Sequence, residues 1–259
     1  HLHCLQTPVQ KAFGLRKYGK SLVGHLDDLG LVDSNLVLGH AVYLSEEDIA
    51  LLAEKDAFVT HHASCNLIMR DGIAPVYYML KAGMNVAMGM DEKGINDDED
   101  PFMEMRMIYF LHRHAGISLT ECPALSPYEV LRLATVNGAR PTGFAGEIGA
   151  LRPGMKADMI LVNTQEILNA PCMLPGFDMG EVVLRRGLGR YTDTVIVGGA
   201  GEKDEVKARV NNLKAQVEEA TSEFVVLMLH VDSSYHSALS ETPPPPFSQS
   251  SVPILFTHI

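Results

Sequence analysis

Short apolar runs alternate with amphipathic segments along the first 145 residues of the chain. Runs of strand length occur at residues 1–5, 34–40, 56–62 and 84–91, and loops or segments of helical period follow them. Ser45 and Ser126 are expected helix N-caps, and the helix that begins after Ser126 is expected to run through SPYEVLRLATVNGA. Gly30 is expected to end a helix that begins near Ser21. Strand, loop and helix in repeated order predict an α/β fold with a parallel sheet.

The pattern changes near Gly146. Turn residues and short apolar stretches predict part of a small β-domain over residues 146–200. A charged segment predicts a C-terminal helix within 201–228. The remaining residues, 229–259, are rich in proline and serine and are expected to be disordered.

Composition narrows the class of protein. The formal net charge of −11 over 259 residues argues against a nucleic-acid partner held by phosphate contacts. The four cysteines are far apart and form no CxxC pair, which is typical of reduced thiols in a cytoplasmic protein. The sequence contains no apolar run long enough to cross a bilayer, so no membrane partner is expected.

Polar residues capable of binding a metal stand at the ends of the predicted strands: His3, His40, His61 and Asp91. Because the carboxyl ends of parallel strands meet at one edge of a sheet, these side chains are expected to converge. Histidine and aspartate suit zinc and other borderline divalent ions. Taken singly, a histidine at a strand end is more often a hydrogen-bonded structural residue than a ligand, and Asp91 alone could be a helix cap or loop anchor. The joint pattern favours a site.

The motifs that carry these residues resemble the amidohydrolase superfamily. In order they read HLHCLQT, LVLGHAVYLSEEDIALLAEK, VTHHASCNLIMRDGIAP and LKAGMNVAMGMD, followed by LRLATVNGARPTGFAGEIGALRPGMKADMILV. The chain is most similar to the branch of triazine hydrolases, chlorohydrolases and adenosine- or guanine-type deaminases. The resemblance covers roughly residues 1–198.

The resemblance implies a fold and a reaction. Residues 1–145 would form strands five to eight of a (β/α)8 TIM-type barrel, and residues 146–200 part of a small β-sandwich. The reaction would be hydrolysis, by metal-activated water, of a C–N or C–halide bond in a small nitrogen heterocycle. One divalent metal would be bound; zinc is expected, and iron also suits the ligands. A homodimer is one expected assembly.

The same resemblance assigns roles to individual residues. The metal ligands would be His3 and Asp91, with Asp91 also acting as general base. His40 would contact the hydrolytic water or the substrate. The residues expected to contact substrate are Gln6, His61, Asn66 and Asn96, of which Gln6 is also placed in the catalytic group.

Two departures from the family pattern qualify these roles. Deaminases of this branch usually carry a glutamate three residues after the strand-five histidine, where this chain has Gln6, which cannot act as a general acid at neutral pH. The strand-one HxH pair is absent, and His1 is expected to be a neighbour on the opposite face of the strand and not a ligand. The chain is therefore expected to be the C-terminal part of a longer enzyme. The alternative is a non-catalytic fragment or decayed copy without a complete metal site.

The acidic loop from Asp91 to Asp100 has two interpretations. As a substrate loop it would present Asn96 and Asp97 to the ligand. As a solvated loop it would serve to cap the next helix through Asp100, with Pro101 at the first helical position.

Overall fold

The chain contains a four-stranded parallel sheet, as the alternation of strands and helices predicts. The structure, a computed structural model, describes residues 1–91, 93–113, 124–152, 154–156, 158–168, 178–196 and 224–227. The strands lie in sequence order: β1 (Leu2–Cys4), β2 (Val37–His40), β3 (Phe58–His61) and β4 (Asn85–Met88). Each parallel pair is joined by a helical connection, which is the arrangement of βα units.

Ten α-helices lie in the described part of the chain: α1 (Pro8–Tyr18), α2 (Leu22–Asp28), α3 (Glu46–Glu54), α4 (Ala63–Ile68), α5 (Val76–Lys81), α6 (Pro101–Leu111), α7 (Pro127–Leu133), α8 (Val136–Ala139), α9 (Thr164–Leu168) and α10 (Met179–Arg186). Local side-chain hydrogen bonds fix the residues at which several helices begin. Ser45 and Ser126 form capping boxes with Asp48 and Glu129 at the starts of α3 and α7. Asp100 caps α6 ahead of Pro101, so the capping interpretation of the acidic loop is confirmed at this residue.

Two helical predictions need correction. The segment SPYEVLRLATVNGA was expected to be one helix, but it forms α7 and α8 with a break at Ala134 and Thr135. The Thr135 hydroxyl donates to the carbonyl of Leu131 at 2.7 Å, and its backbone leaves the helical region. Helices α4, α9 and α10 were not predicted. The latter two lie inside the range 146–200, which was expected to be β-rich.

The two faces of the parallel sheet differ in chemistry. One row of residues in register, Leu38, Val59 and Val86, is fully buried and packs into the main hydrophobic core with helix residues such as Leu52 and Met79. The row beside it contains His3, Gly39, Thr60 and Ala87, which are small or polar. The sheet therefore presents its apolar row to the helices and its small, polar row to the other side.

A second sheet is antiparallel, with the order β6 (Thr192–Ile196), β5 (Met159–Asn163), β7 (Phe224–Leu227). Strands β5 and β6 lie where short strands were expected. Strand β7 lies inside 201–228, so the predicted helix is wrong over 224–227. The rest of that helix, residues 201–223, and the predicted disordered tail, 229–259, lie outside the described residues. Within the described part of the chain, no helix has the length and apolar character needed to span a membrane.

Candidate metal and substrate site

Three of the predicted residues converge at the carboxyl ends of β1, β2 and β4. One potential ligand atom from each of His3, His40 and Asp91 lies within 4.8 Å of the other two. The Nε2 atom of His40 is 2.8 Å from Nδ1 of His3 and 3.5 Å from Oδ2 of Asp91. His3 is exposed, Asp91 is about a third exposed and His40 is fully buried, so the group opens to solvent on one side.

The backbone of His40 explains how it reaches this group. In the strand register His40 pairs with Cys4, a core residue, so simple alternation would direct His40 away from His3. Instead His40 has a φ of 69° and Ala41 a φ of 49°. This left-handed region is uncommon for residues with a side chain and is held only where the surroundings enforce it. The turn ends the alternation and brings the imidazole to His3.

Helix α4 supports the group from behind. The side-chain oxygen Oδ1 of Asn66 lies 2.8 Å from Nδ1 of His40, and both residues are buried. An amide oxygen only accepts, so His40 donates through Nδ1 and keeps Nε2 as an acceptor. The Cys65 thiol donates to Oδ2 of Asp91 at 3.4 Å. The segment therefore contacts two members of the group: Asn66 holds the outer nitrogen of His40, and Cys65 contacts the Asp91 oxygen that faces His40.

The charge state of His40 follows from its surroundings. Burial lowers the pKa of His40, and the Asn66 hydrogen bond and the carboxylates of Asp91 and Asp71 oppose that shift only in part. The 3.5 Å contact with Asp91 is therefore between a neutral imidazole and a carboxylate, not a full ion pair. A neutral Nε2 with a lone pair is what a metal or an acidic proton requires.

The donor set fits a zinc ion. Imidazole nitrogen and carboxylate oxygen are common zinc ligands, and the spacing within 4.8 Å lets one ion contact several of them. His40 Nδ1 is already hydrogen-bonded to Asn66, and this type of outer contact orients histidines in metal sites. The convergence brings His3 and Asp91, the two expected metal ligands, within 4.8 Å of each other and of His40. Their roles as ligands stay predictions.

Gln6 lies next to the group and contacts a carboxylate that the sequence did not point to. Its Nε2 donates to Oδ2 of Asp71 at 2.8 Å, and its backbone N–H donates to Oε1 of Gln10 at 2.7 Å. Gln6 is half-buried, whereas Asp71 is only 5% exposed. Asp71 is 65 residues from Gln6 in the chain, so nothing in the local sequence indicated the pair.

The structure separates His61 from the site face. His61 ends β3 in register with Met88, and its Nε2 lies 3.2 Å from Nε2 of His112 at the end of α6. Its neighbour His62, and not His61, packs against the His40 ring at 4.8 Å between centroids. His62 also contacts Oγ1 of Thr60 at 2.9 Å. The placement gives no support to a substrate contact by His61.

The two remaining predictions differ in outcome. Asn66 lies against His40, which places it in the site although behind the histidine. Asn96 is exposed in a turn of the loop before α6, and its contact with a substrate stays a prediction. His1 was expected on the opposite face of the strand, and this is wrong: its ring stacks on the ring of His3 at 6.4 Å between centroids, and its Nε2 lies 3.4 Å from Oγ1 of Thr60.

Glycine at position 89 is a further part of the site that sequence reasoning missed. A Cβ atom at Gly89 would lie 2.3 Å from Cε1 of His62, closer than any real contact. The strand end can approach the His62 ring only because this residue has no side chain. The one available signal was its place in the run MNVAMGMD, two residues before Asp91.

A parallel βα sheet with histidines and an aspartate at its carboxyl edge defines the class of metal-dependent hydrolases built on barrel-type folds. Comparison with known proteins agrees. The profile described as "Amidohydrolase family" matches residues 1–233, and the chain belongs to this family.

Relatives at the sequence level are deaminases. The chain is 35% identical over 233 residues to the 5'-deoxyadenosine deaminase of Methanosarcina mazei, covering 90% of this chain and 52% of that protein. It is 36% identical over 200 residues to the 5-methylthioadenosine/S-adenosylhomocysteine deaminase of Syntrophomonas wolfei, covering 77% of this chain and 45% of that protein. The chain thus spans about half the length of the curated relatives it matches.

Solved structures show the same fold. An adenosine deaminase from Xanthomonas campestris with bound zinc matches with a TM-score of 0.69 and 27% identity, over 85% of this chain and 51% of that one. The atrazine chlorohydrolase of Arthrobacter aurescens TC1 complexed with zinc matches with a TM-score of 0.66 and 24% identity, over 82% and 47% of the two chains. The second match, at its lower identity, shows the fold alone.

Proposed function

We propose that the chain forms part of a metal-dependent deaminase that hydrolyses an exocyclic C–N bond of an adenosine-type nucleoside. The observation that carries this proposal is the convergence of His3, His40 and Asp91 within 4.8 Å at the carboxyl edge of the parallel sheet. The deaminase names of the sequence relatives support the substrate class.

We also propose which parts of a complete barrel and β-sandwich the two sheets represent. The four strands β1–β4 would be strands five to eight of a (β/α)8 TIM-type barrel, within residues 1–145. The antiparallel strands would belong to a β-sandwich portion that begins near 146. Support comes from the order β1-β2-β3-β4, the parallel pairing and the coverage of about half of each relative.

His3 and Asp91 would hold one divalent ion, with zinc favoured over iron because zinc is bound in the similar adenosine deaminase. When bound, such an ion lowers the pKa of water and makes hydroxide available near neutral pH. Asp91 would accept the proton released when the water oxygen forms its bond to the ring carbon. The C–N bond would then break, and the amine would leave as ammonia with the proton that Asp91 returns to it.

The other residues of the site would orient the reactants. His40, held neutral and fixed through Asn66, would present Nε2 to the water or the substrate. Gln6 would position the ring or its amino group by hydrogen bonds, since an amide does not exchange protons at neutral pH. Asn66 would act by fixing His40, and not by direct contact with the substrate.

The test measures zinc and product together. The full chain, supplied with Zn²⁺, is assayed for bound zinc by elemental analysis and for ammonia released from adenosine, 5'-deoxyadenosine and 5'-methylthioadenosine. We expect stoichiometric zinc and ammonia from at least one of these nucleosides. Zinc binding with release of chloride from atrazine, and no ammonia, would identify a chlorohydrolase instead. Absence of both zinc and turnover would support the non-catalytic alternative.

A further inference from the structure

We infer that Asp71 fixes the orientation of the Gln6 side-chain amide, so that the site offers an acceptor oxygen and selects substrates whose leaving group carries an N–H. This inference rests on the proposed function, because it concerns the leaving group of that reaction. It makes Asp71 a positioning residue that acts through Gln6.

The contact itself determines the orientation. A carboxylate only accepts hydrogen bonds, and Nε2 of Gln6 donates to Oδ2 of Asp71 at 2.8 Å. Turning the amide over would place two oxygen atoms against each other at that distance. A charged acceptor makes the bond stronger than one between neutral groups. Because Asp71 is only 5% exposed, water competes poorly for its carboxylate.

The backbone fixes both partners. Gln6 follows Leu5, which has a φ of 51°, and Asp71 follows Arg70, which has a φ of 61°. The Asp71 N–H donates to the carbonyl of Asn66 at 2.8 Å, just beyond helix α4. The turn that holds Asp71 is therefore tied to the residue that fixes His40, and one segment orients two polar groups of the site.

Burial decides which side of Gln6 remains available. Asp71 is buried, whereas Gln6 is only half-buried, so part of the Gln6 side chain beyond the Asp71 contact is open to a ligand. With Nε2 held by Asp71, the oxygen Oε1 lies on the other edge of the amide because the amide is planar. An exocyclic amino group can donate to this oxygen, whereas a halide cannot.

The pair also accounts for glutamine where deaminases of this branch usually have glutamate. A glutamate at position 6 would bring two carboxylates to hydrogen-bonding distance. Like charges so close raise the pKa of one group until the pair shares a proton. Glutamine at 6 and aspartate at 71 avoid this repulsion.

The experiment compares leaving groups. The zinc-supplied full chain is assayed with adenosine and with 6-chloropurine riboside, and the ratio of the two kcat/KM values is the readout. In Asp71→Asn the amide pair can form either way round, so Gln6 is no longer fixed, and we expect the amino-to-chloro ratio to fall about tenfold. A purely structural defect would lower both rates alike. Asp48→Asn is the matched control, since Asp48 is 4% exposed and caps helix α3; its ratio should stay as in the parent.

A second pair of variants tests the contact by pH. In Gln6→Glu, the acidic limb of the pH profile of kcat/KM should lie at a higher pH than an ordinary glutamate gives. In the double variant with Gln6→Glu and Asp71→Asn, the acidic limb should move back towards the pH of an ordinary glutamate. An unchanged ratio in Asp71→Asn, or identical profiles for Gln6→Glu with and without Asp71→Asn, would overturn the inference.

The proposed function and this inference fail in different ways. If the parent hydrolyses adenosine but Asp71→Asn keeps its preference, the function stands and the inference is wrong. If the parent releases ammonia from none of adenosine, 5'-deoxyadenosine and 5'-methylthioadenosine, the function is wrong, and equilibrium binding of adenosine and 6-chloropurine riboside decides the inference. A preference for adenosine that Asp71→Asn removes would support it, and equal binding would overturn it.

Discussion

Two histidine pairs lie close together in this protein, and their surroundings differ. His3 and His40 approach within 2.8 Å beside the carboxylate of Asp91, with one side open to solvent. His61 and His112 approach within 3.2 Å behind the sheet, and both are buried. Burial, followed by the imidazoles of His112, His62 and His40, holds the pKa of His61 well below its usual value.

The difference shows that proximity of imidazoles does not make a site. The first pair combines an acceptor nitrogen, a carboxylate and an opening, which is what a metal or a polar substrate needs. The second pair has a partner for one nitrogen of His61, while its Nδ1 is buried without one in the described contacts. We therefore expect activity to depend on the first pair and stability on the second.

Removing the carboxylate should have the largest effect. Asp91→Asn keeps the shape of the side chain but removes the charge and the general base, so kcat/KM should fall at least a hundredfold, and bound zinc should fall with it. Steady-state kinetics and elemental analysis measure the two losses. Asp193→Asn, at an exposed position on β6, is the control and should match the parent. An unchanged rate in Asp91→Asn would remove Asp91 from the mechanism.

Removing the hydrogen bond that supports His40 should lower activity less than removing the Asp91 carboxylate. Asn66→Ala removes the acceptor for Nδ1 of His40, so the imidazole loses its fixed orientation. Outer contacts of this kind are worth about 10- to 100-fold in metal affinity or activity. Zinc titration and kcat/KM are the measurements. Asn35→Ala, at an exposed position before β2, should leave both values unchanged; equal losses in the two variants would mean that Asn66 has no special role.

Much of the first pair could be predicted from sequence, for a physical reason. His40 and Asp91 directly follow apolar runs, and parallel strands bring such residues to a common edge. The helix starts at Ser45 and Ser126 were also predictable, because capping is local chemistry.

The second pair and the Gln6 contact could not be predicted in the same way. Adjacent strand residues face opposite sides, so the choice between His61 and His62 depends on where β3 ends, which varies by a residue or two in any sequence-based prediction. Asp71 reaches Gln6 only after the sheet has formed, across 65 residues of chain. The break at Thr135 depends on one hydroxyl that competes with the helix backbone.

The tightness of packing between the two histidine pairs can be tested by adding one methyl group at Gly89. Gly89→Ala would place a Cβ 2.3 Å from the His62 ring, which lies between His40 and the strand end. Overpacking of this kind costs about 1–3 kcal/mol of unfolding free energy, measured by urea denaturation. Gly39→Ala is the matched control, since its Cβ would lie 3.5 Å from His1 and 3.7 Å from His62. Equal stability of the two variants would show that the His62 ring can move aside.

The second pair should set part of the acid sensitivity of the fold. The folded-state pKa of His61 lies below that of the unfolded chain, about 6.5, so below that pH the unfolded state binds more protons than the native state. The stability that His61 contributes is present above pH 6.5 and is lost progressively as the pH falls below it. We expect the unfolding free energy to fall between pH 7 and pH 5. The variant that carries both His61→Leu and His112→Leu should show a shallower fall over that interval. If its pH dependence matches that of the parent, the buried pair has no part in acid unfolding.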